Sequence, residues 1–592
     1  MDETGRASLT RAGTMPRRLR SPPAVAFCLI LLAGCRAEAL RDRYGFAATQ
    51  SPHVALLPVA ADDRLTAADL SQVEGLLEAG RQEEQAGRET CVDRYYQAAI
   101  GAWRLIDACP ARSGGLPSPT ACNLYQQSLE RLIASALRYR RLNPQGQLTV
   151  DCGGRRLVPI QYVGFAWKPA EFSQVLLARE FQNGDLQHRY RATGLGVSLV
   201  AVRHGSDDEP FYRAQQPFPV TALLRSGLGE TTDELAPGRN AVLTFYNPCL
   251  FSSVRLGNVD VPLERDLSAP FAYLIEQSPR RFTEGFLAPD DADVQPKLLM
   301  MEPYQPGKIP LVFIHGLWSD PMTWVDTANA LRAQSDIYRN YQFWFFRYPT
   351  GGDLLESAAA LREQMMLVRE LHDPLHRDPA LERTVLVGHS MGGLVAKLQA
   401  SHSYDTLWRH AAKRPIETVR ASPAMRDRLQ RIFFFAPSPL VQRLVFIATP
   451  HQGSGMSRRL VGRVASRMVR YSSDERDAYR ELMDSNRDVF QDYLWNSRPT
   501  TVGLLEPSNP MLQAMAKMPI GCGIRTHSII GNDWKALTSE SSDGVVPVSS
   551  ARYLAARSEL IVPARHEEVH RHPDTIDELL RILREHGGKS VL

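Results

Sequence analysis

The sequence lacks a strong excess of charge of either sign. Its 592 residues carry a formal net charge of +4. Residues 1–35 alone hold five Arg against two acidic residues, a net of +3, which leaves +1 for the rest of the chain. Nucleic-acid-binding domains concentrate basic residues on one surface. The composition therefore predicts no nucleic-acid partner.

Cysteine is scarce as well, with eight residues, no two of which are spaced as C-x-x-C. The sequence therefore gives no support for a dithiol redox site or a Cys-ligated zinc site, and we predict neither a metal nor another cofactor. Six of the eight follow residue 35, and four of those lie between residues 91 and 152. An oxidising compartment would permit disulfides among them, but the pairing cannot be read from the sequence.

Long apolar runs are also missing. With 44% hydrophobic and 23% charged residues, the composition is that of a folded soluble chain and excludes a multi-span membrane protein. One short apolar run, AVAFCLILLAG, follows a basic cluster at Arg17, Arg18 and Arg20. This run is too short for a comfortable membrane span, but it suits the core of a signal peptide.

The run ends in Leu-Leu-Ala-Gly-Cys at residues 31–35, which resembles the lipobox of bacterial lipoproteins. The resemblance implies that Cys35 becomes the lipid-modified first residue of the mature chain. Two or more acyl chains make such an anchor stable, because each buried methylene contributes about 0.8 kcal/mol. Arg36 is unlike an inner-membrane retention signal, so we expect a lipid-anchored protein of the bacterial cell envelope, in the outer membrane. A plain cleaved signal or an uncleaved anchor is the alternative.

The chain is too long for one hydrophobic core, and its patterns change along its length. Helical spacing of apolar residues gives way to short β-type runs such as GVSLVAV, which favour a sandwich-like module, and then to alternating strands and helices. The predicted regions are a signal peptide at 1–35, a tether at 36–62, a helical region at 63–145, a β-rich module at 146–290, and a catalytic domain at 296–592 with lid-like insertions at 403–440 and 455–520.

The carboxy-terminal region is predicted to have an α/β fold, in which helices cover both faces of a mostly parallel sheet. Six of its segments are predicted to be buried strands: IPLVFI, YQFWFF, RTVLV, RLVFIA, HSII and ELIVP. Loops beyond the carboxyl ends of such strands converge on one crevice, so residues that are distant in the sequence can meet there.

A nucleophile elbow is predicted where RTVLV runs into GHSMGG at residues 388–393 and then into an apolar helix. The pattern G-x-S-x-G alone is a weak signal, but the strained strand-to-helix turn requires this context. Side chains at Gly388 and Gly392 would collide with the neighbouring strand and helix. We therefore predict that Ser390 is the nucleophile.

A serine hydroxyl becomes nucleophilic when a base takes its proton, and a carboxylate orients that base. Asp543, in SSDGVVPVSSA after the HSII strand, is the predicted acid. His566, which follows the ELIVPAR segment, is the predicted base. The order Ser, acid, His is that of α/β-hydrolases. His570 stays an alternative base, and Asp533 an alternative acid.

Two backbone amides are predicted to form an oxyanion hole: that of Leu317, in the loop after IPLVFI, and that of Met391, directly after the nucleophile. The motifs HGLWS, GHSMGG, ATPHQGS and SDGVVP, with a His seven residues before a Pro, resemble bacterial lipases and PGAP1-like serine esterases over about half of the chain. The resemblance implies an α/β-hydrolase fold and hydrolysis of acyl lipid esters through an acyl-enzyme, although a fold does not fix a substrate.

Other interpretations stay open. Residues 566–570 match the zinc-protease motif H-E-x-x-H, which needs a helix that Pro573 would interrupt. Residues 433–435, all Phe, belong either to an acyl pocket or to the core. The acyl-enzyme could also transfer its acyl group to an alcohol, or residues 63–290 could bind a protein partner beside an inactive hydrolase domain. The predicted partners are an acyl ester or lipid substrate and, through Cys35, a membrane.

Overall fold

The structure is a computed structural model. It describes residues 67–113, 118–181, 186–205, 209–226, 241–277, 295–455, 472–495, 500–533 and 541–588. The predicted signal peptide at 1–35, the tether at 36–62 and Cys35 lie outside the described residues. Within the described ranges, none of the helices combines the length and the apolar character needed to cross a membrane.

The described elements alternate as follows. The helices are α1 (Ala67–Gln85), α2 (Cys91–Ser113), α3 (Pro119–Arg138), α4 (Ala269–Gln277), α5 (Val325–Arg332), α6 (Ser335–Asn340), α7 (Leu354–His372), α8 (Met391–Ala400), α9 (Thr406–Ala411), α10 (Pro423–Phe433), α11 (Ser473–Ser485), α12 (Thr501–Leu504), α13 (Pro510–Lys517), α14 (Val548–Ala551) and α15 (Pro573–His586). The strands are β1 (Leu142–Asn143), β2 (Gln147–Asp151), β3 (Arg155–Val163), β4 (Phe172–Leu177), β5 (Arg191–Ala192), β6 (Val197–His204), β7 (Gln215–Ser226), β8 (Ala241–Tyr246), β9 (Ser253–Leu256), β10 (Val259–Pro262), β11 (Arg265–Asp266), β12 (Lys297–Met300), β13 (Ile309–Ile314), β14 (Tyr341–Arg347), β15 (Thr384–His389), β16 (Val441–Ile447), β17 (Arg525–Gly531) and β18 (Ser558–Val562).

In the amino-terminal module, helices α1 to α3 pack against a seven-stranded sheet with the order β1-β2-β3-β8-β7-β6-β4. One cluster of buried side chains contains residues of all three helices and of the sheet, so the helical and strand-rich regions share a core. The Tyr125 hydroxyl on α3 donates to the Leu224 carbonyl oxygen and accepts from the Leu224 amide, each at 2.9 Å. These bonds join α3 directly to β7.

The strand-rich module is confirmed, but its sandwich-like packing is corrected. Strand β7 is buried at nine successive positions, residues 216–224. Helices α1 to α3 contribute to the core on the sheet, and a second cluster packs α4 against β6 through Ala269, Ala272, Val200 and Val202. A run of buried β-type residues indicates that both faces are covered, but it does not say whether a helix or another sheet covers them.

The carboxy-terminal sheet has the order β12-β14-β13-β15-β16-β17-β18. Strands β13 to β18 are parallel, and they coincide with the six predicted strands. Val312 and Ile314 of β13 point to one core cluster, and Leu311 and Phe313 belong to another, because successive side chains of a strand alternate between faces. The α/β fold class is therefore confirmed. The antiparallel edge strand β12 has no counterpart among the predicted strands.

Buried polar contacts join the amino-terminal module to α5. The Ser268 hydroxyl donates to Asn329 Oδ1 at 2.9 Å, and Asn329 Nδ2 donates to the His188 carbonyl oxygen at 2.9 Å. Arg332 Nη2 donates to the Leu267 carbonyl oxygen at 2.9 Å. Separating these groups would leave buried donors and acceptors unsatisfied. Residues 61–592 accordingly form one compact unit.

Candidate active site

The turn between β15 and α8 holds Ser390 in an unusual backbone conformation. Its φ of +54° lies in the left-handed region that residues other than Gly rarely adopt. The Ser390 amide donates to the Ile447 carbonyl oxygen at 2.8 Å, and the Ser390 carbonyl oxygen accepts from the Gly393 amide at 3.0 Å. Backbone hydrogen bonds on both sides therefore maintain the strained turn.

Missing side chains allow this turn to pack closely. A Cβ on Gly388 would lie 2.5 Å from the Gly392 carbonyl oxygen and the Gly393 nitrogen. A Cβ on Gly392 would overlap the carbonyl oxygens of Ile314 and His315, at the end of β13. Both collisions involve backbone atoms, which cannot rotate away as a side chain can. The two glycines are thus needed at the positions where the sequence predicted them.

A chain of hydrogen bonds joins the three side chains predicted to form the triad. His566 Nε2 lies 2.8 Å from Ser390 Oγ, although 176 positions separate the two residues. His566 Nδ1 lies 2.7 Å from Asp543 Oδ2. A carboxylate accepts hydrogen bonds, so the network assigns the imidazole proton to Nδ1 and leaves the Nε2 lone pair facing the hydroxyl. This tautomer can accept a proton from serine.

The loop after β17 fixes Asp543. Its Oδ1 accepts from the Val545 amide at 2.9 Å and from the Val546 amide at 2.7 Å. Its backbone carbonyl oxygen accepts from the His566 amide at 3.0 Å. Only 1% of the Asp543 side chain is exposed. The carboxylate therefore has one oxygen held by backbone amides and the other directed to His566.

Burial and charge act on His566 in opposite directions. Burial lowers the pKa of its imidazole, whereas the charge of Asp543 and the hydrogen bond to it raise the pKa. The net effect is a pKa above the ordinary histidine value. Asp543 therefore favours the imidazolium, which is the form that His566 would take after accepting a proton from Ser390.

The alternative residues have other partners. His570 Nε2 lies 3.0 Å from the Thr323 carbonyl oxygen, and burial lowers the pKa of His570 to about 3. The Asp533 carboxylate accepts from Arg565 Nε at 3.2 Å. Neither His570 nor Asp533 belongs to the hydrogen-bond chain of Ser390.

The H-E-x-x-H segment does not form the helix that a zinc protease needs. His566 lies in a turn, and His570 lies in the 3₁₀ turn Val569–Arg571. The zinc motif requires an α-helix that presents both rings on one face. Here the two rings bind different partners, so the geometry favours the serine site over the zinc site.

The predicted oxyanion amides lie on both sides of the nucleophile. Met391 is the first residue of α8, and amides in the first turn of a helix have no acceptor within the helix. A Cβ on Gly316 would lie 3.0 Å from Ser390 Cβ, so the loop that carries Leu317 passes directly beside the nucleophile. This arrangement could direct both amides at a carbonyl oxygen bound to Ser390.

Two supports of the site had no signal in the sequence. The Tyr348 hydroxyl donates to the His315 carbonyl oxygen at 2.6 Å, at the root of the loop that carries Leu317. His389 Nε2 lies 2.9 Å from the His566 carbonyl oxygen. The elbow motif specifies glycines and a serine, and it does not predict what the intervening residue contacts.

The two lid-like insertions pack against each other. One buried cluster contains Trp408 from the first insertion and Leu482 from the second. A cavity of about 350 Å³ lies between the insertions and α7, and Leu429, Phe433 and Leu482 are among its apolar lining residues. The Phe433 ring also contacts Trp408, with 5.3 Å between ring centroids. Phe433 thus serves both interpretations of the Phe run, because it packs in a core and lines a cavity.

Comparisons with known proteins concern the carboxy-terminal half of the chain. Residues 311–579 match the model of the alpha/beta hydrolase family. The carboxy-terminal half has the α/β-hydrolase fold. We refer to it below as the hydrolase domain.

The structural comparisons give distant similarities to this domain. The mature form of lipase BlEst2 from Bacillus licheniformis is 17% identical with a TM-score of 0.29, over 48% of this chain and 97% of that chain. EstA from Clostridium botulinum is 12% identical with a TM-score of 0.29, over 48% and 88%. Butyrate-bound Est2 from Thermogutta terrifontis is 14% identical with a TM-score of 0.26, over 50% and 90%. No curated protein matches the chain.

The packing of the elbow predicts the effect of one methyl group. Gly388→Ala would place Cβ 2.5 Å from backbone atoms, so we expect the free energy of unfolding to fall by about 1–3 kcal/mol. The matched control is Gly75→Ala on α1, where no atom lies within 4 Å of the added Cβ and where Ala should stabilise the helix by about 0.5–1 kcal/mol. Denaturant unfolding measures both, and equal stability of Gly388→Ala and wild type would contradict the packing argument.

Proposed function

We propose that the protein is a membrane-tethered serine hydrolase that cleaves carboxylic esters of acyl groups or lipids. The observation that carries the proposal is the hydrogen-bond chain from Ser390 through His566 to Asp543. A hydroxyl that contacts a neutral imidazole, itself oriented by a buried carboxylate, is activated for attack on a carbonyl carbon.

In the proposed reaction, Ser390 Oγ attacks the acyl carbonyl carbon while His566 Nε2 takes the hydroxyl proton. The ester C–O bond then breaks, and His566 returns the proton to the leaving alcohol. Water, deprotonated by His566, hydrolyses the acyl-enzyme, and the proton passes back to Ser390. The amides of Leu317 and Met391 would donate to the oxyanion of each tetrahedral intermediate, and one such donor accounts for about a hundred- to a thousandfold in rate.

The cavity between the insertions supports an acyl substrate. Its charged lining residue Arg428 pairs with Glu356 at 2.6 Å and with Glu475 at 3.2 Å. Because these charges compensate one another, the apolar side chains around Leu429 and Phe433 are left as the surface that would bind hydrocarbon. Transfer of the acyl group to an alcohol other than water uses the same intermediate, and product analysis with added alcohols would detect it.

The proposed tether is a lipid on Cys35. Its support is the sequence of residues 31–35 after an apolar signal core. An anchored enzyme would act on esters at or near the membrane surface, so the tether agrees with a lipid substrate. We propose the outer membrane of the bacterial envelope as its location.

Replacing the nucleophile tests the reaction. We expect Ser390→Ala to lose labelling by a fluorophosphonate probe and to lose at least about 10⁴-fold in ester turnover, while its circular dichroism stays that of wild type. The matched control is Ser401→Ala, which removes a buried hydroxyl that donates to the Lys397 carbonyl oxygen at 2.9 Å. Unchanged turnover of Ser390→Ala, or an intact wild-type protein that resists the probe, would refute the proposal and favour a binding role.

The raised pKa of His566 predicts the pH dependence of the reaction. The base must be neutral to accept a proton, so kcat/KM should rise with pH and reach half its maximum above the ordinary histidine pKa of about 6.5. Asp543→Asn removes the charge that raises this pKa, so the acidic limb should move to lower pH and kcat should fall by about 10⁴-fold. An acidic limb that does not move in Asp543→Asn would remove Asp543 from its proposed role.

The tether has a separate test. We expect the Cys35→Ser precursor expressed in a bacterial host to lose incorporation of labelled fatty acid and to leave the membrane fraction, because the thiol that carries the lipid is gone. Cys28→Ser is the matched control, since it changes a cysteine within the same apolar run. Fatty-acid labelling that persists in Cys35→Ser would contradict the lipoprotein assignment without affecting the proposed reaction.

A further inference from the structure

Three histidine rings lie in a row behind the proposed nucleophile. The His389 ring centroid is 4.9 Å from that of His566 and 4.7 Å from that of His570. His389 and His570 are buried, and the Trp324 ring packs edge-on against both. In the proposed reaction only His566 exchanges a proton with Ser390. The mechanism therefore leaves His389, at the centre of the row, without a role.

The hydrogen bonds of His389 define its form. Its Nε2 lies 2.9 Å from the His566 carbonyl oxygen. A carbonyl oxygen only accepts, so Nε2 carries the proton and Nδ1 carries a lone pair. The position of a Cβ on Gly316 is 3.3 Å from Nδ1, and Nδ1 has no hydrogen-bond partner among the described residues. A protonated ring would bury a second N–H without an acceptor, so the neutral ring is favoured.

The surroundings of His389 keep it neutral. Burial lowers its pKa well below the ordinary histidine value, and the neighbouring His570 and His566 lower it further. His315, from the loop after β13, acts in the same direction. His570 is itself held by Thr323, so it supports the far side of the His389 ring. A proton taken up by His566 therefore has no competing acceptor in this row.

We propose that His389 is a positioning residue for His566. Its Nε2–H fixes the backbone carbonyl of the base, and its ring limits the rotation of the His566 imidazole. His566 lies in a turn after the edge strand β18, whereas His389 ends the central strand β15. The contact therefore ties a residue of a surface turn to a rigid element, which keeps reacting groups in register. This inference rests on the proposed function, because it concerns the base of the same site.

Two substitutions separate positioning from simple packing. In His389→Leu the N–H is lost, and we expect the maximal rate of fluorophosphonate labelling of Ser390 to fall by about 10- to 100-fold while the probe concentration for half-maximal rate stays unchanged. In His389→Gln a side-chain amide can donate to the same carbonyl, so most of the rate should return. A merely structural role would lower the melting temperature without this contrast between the two variants.

The matched control is His451→Leu. His451 is a buried ring between Phe446 and Tyr553, and neither ring nitrogen has a partner among the described residues. We expect it to label at the wild-type rate. The positioning role is overturned if His389→Leu labels like wild type, or if His389→Gln loses as much rate as His389→Leu. Wild-type protein that does not label at all contradicts the proposed function instead.

A second measurement applies if His389→Leu does not fold. Nitrogen-15 NMR of the wild-type histidines reports which ring nitrogen carries the proton. A neutral His389 with its proton on Nε2 at pH 6 supports the positioning role. A charged ring, or a proton on Nδ1 alone, overturns it, because neither form matches the single donation to the His566 carbonyl oxygen.

Discussion

The candidate site depends on the close packing of the turn after β15 against the end of β13. Gly392 has no side chain, and the carbonyl oxygens of Ile314 and His315 occupy the space that a Cβ would need. The same approach brings Gly316 to 3.0 Å from Ser390 Cβ, measured from its constructed Cβ. A nucleophile at the end of one strand and an amide-bearing loop at the end of the next are thereby adjacent without any intervening side chain.

The remaining groups come from loops that are tied to one another and to the sheet. The His566 amide donates to the Asp543 carbonyl oxygen at 3.0 Å, so the acid and base loops are joined through backbone as well as through side chains. Thr327 Oγ1 on α5 donates to the His570 carbonyl oxygen at 2.9 Å, and Asp326 on the same helix accepts from the Gln187 amide at 2.9 Å. Packed contacts therefore run without a break from the amino-terminal module to the histidine row, which gives the module a structural part in the site.

The sequence predicted the parts of the fold that follow local rules. Six parallel strands were evident because both faces of each are buried, and buried strands are near-continuous apolar runs. Strand β12 has only four residues, Lys297–Met300, and pairs at the edge of the sheet, so its run is too short to separate from a turn. The packing of α1 to α3 on the amino-terminal sheet is a tertiary choice, and local periodicity does not record it.

The candidate site was predictable to a similar degree. Ser390, Asp543 and His566 follow predicted strands in an informative order, because the topology of the sheet converts that order into proximity. The contact between His389 and the His566 carbonyl oxygen was not predictable, since it joins a side chain to a backbone atom 177 positions away. Backbone acceptors are present at every position, and a sequence pattern cannot mark one of them.

The energetics of the site weigh against an inactive scaffold. A non-glycine residue in the left-handed region, as Ser390 is with its φ of +54°, costs about 1–3 kcal/mol and persists only where its surroundings maintain it. Burial of the Asp543 carboxylate adds a desolvation penalty, which its two backbone donors and His566 offset. A surface that only binds a partner needs neither the strained serine nor the buried charge. Both are instead what a base-activated hydroxyl requires, so the arrangement is better explained by catalysis than by binding alone.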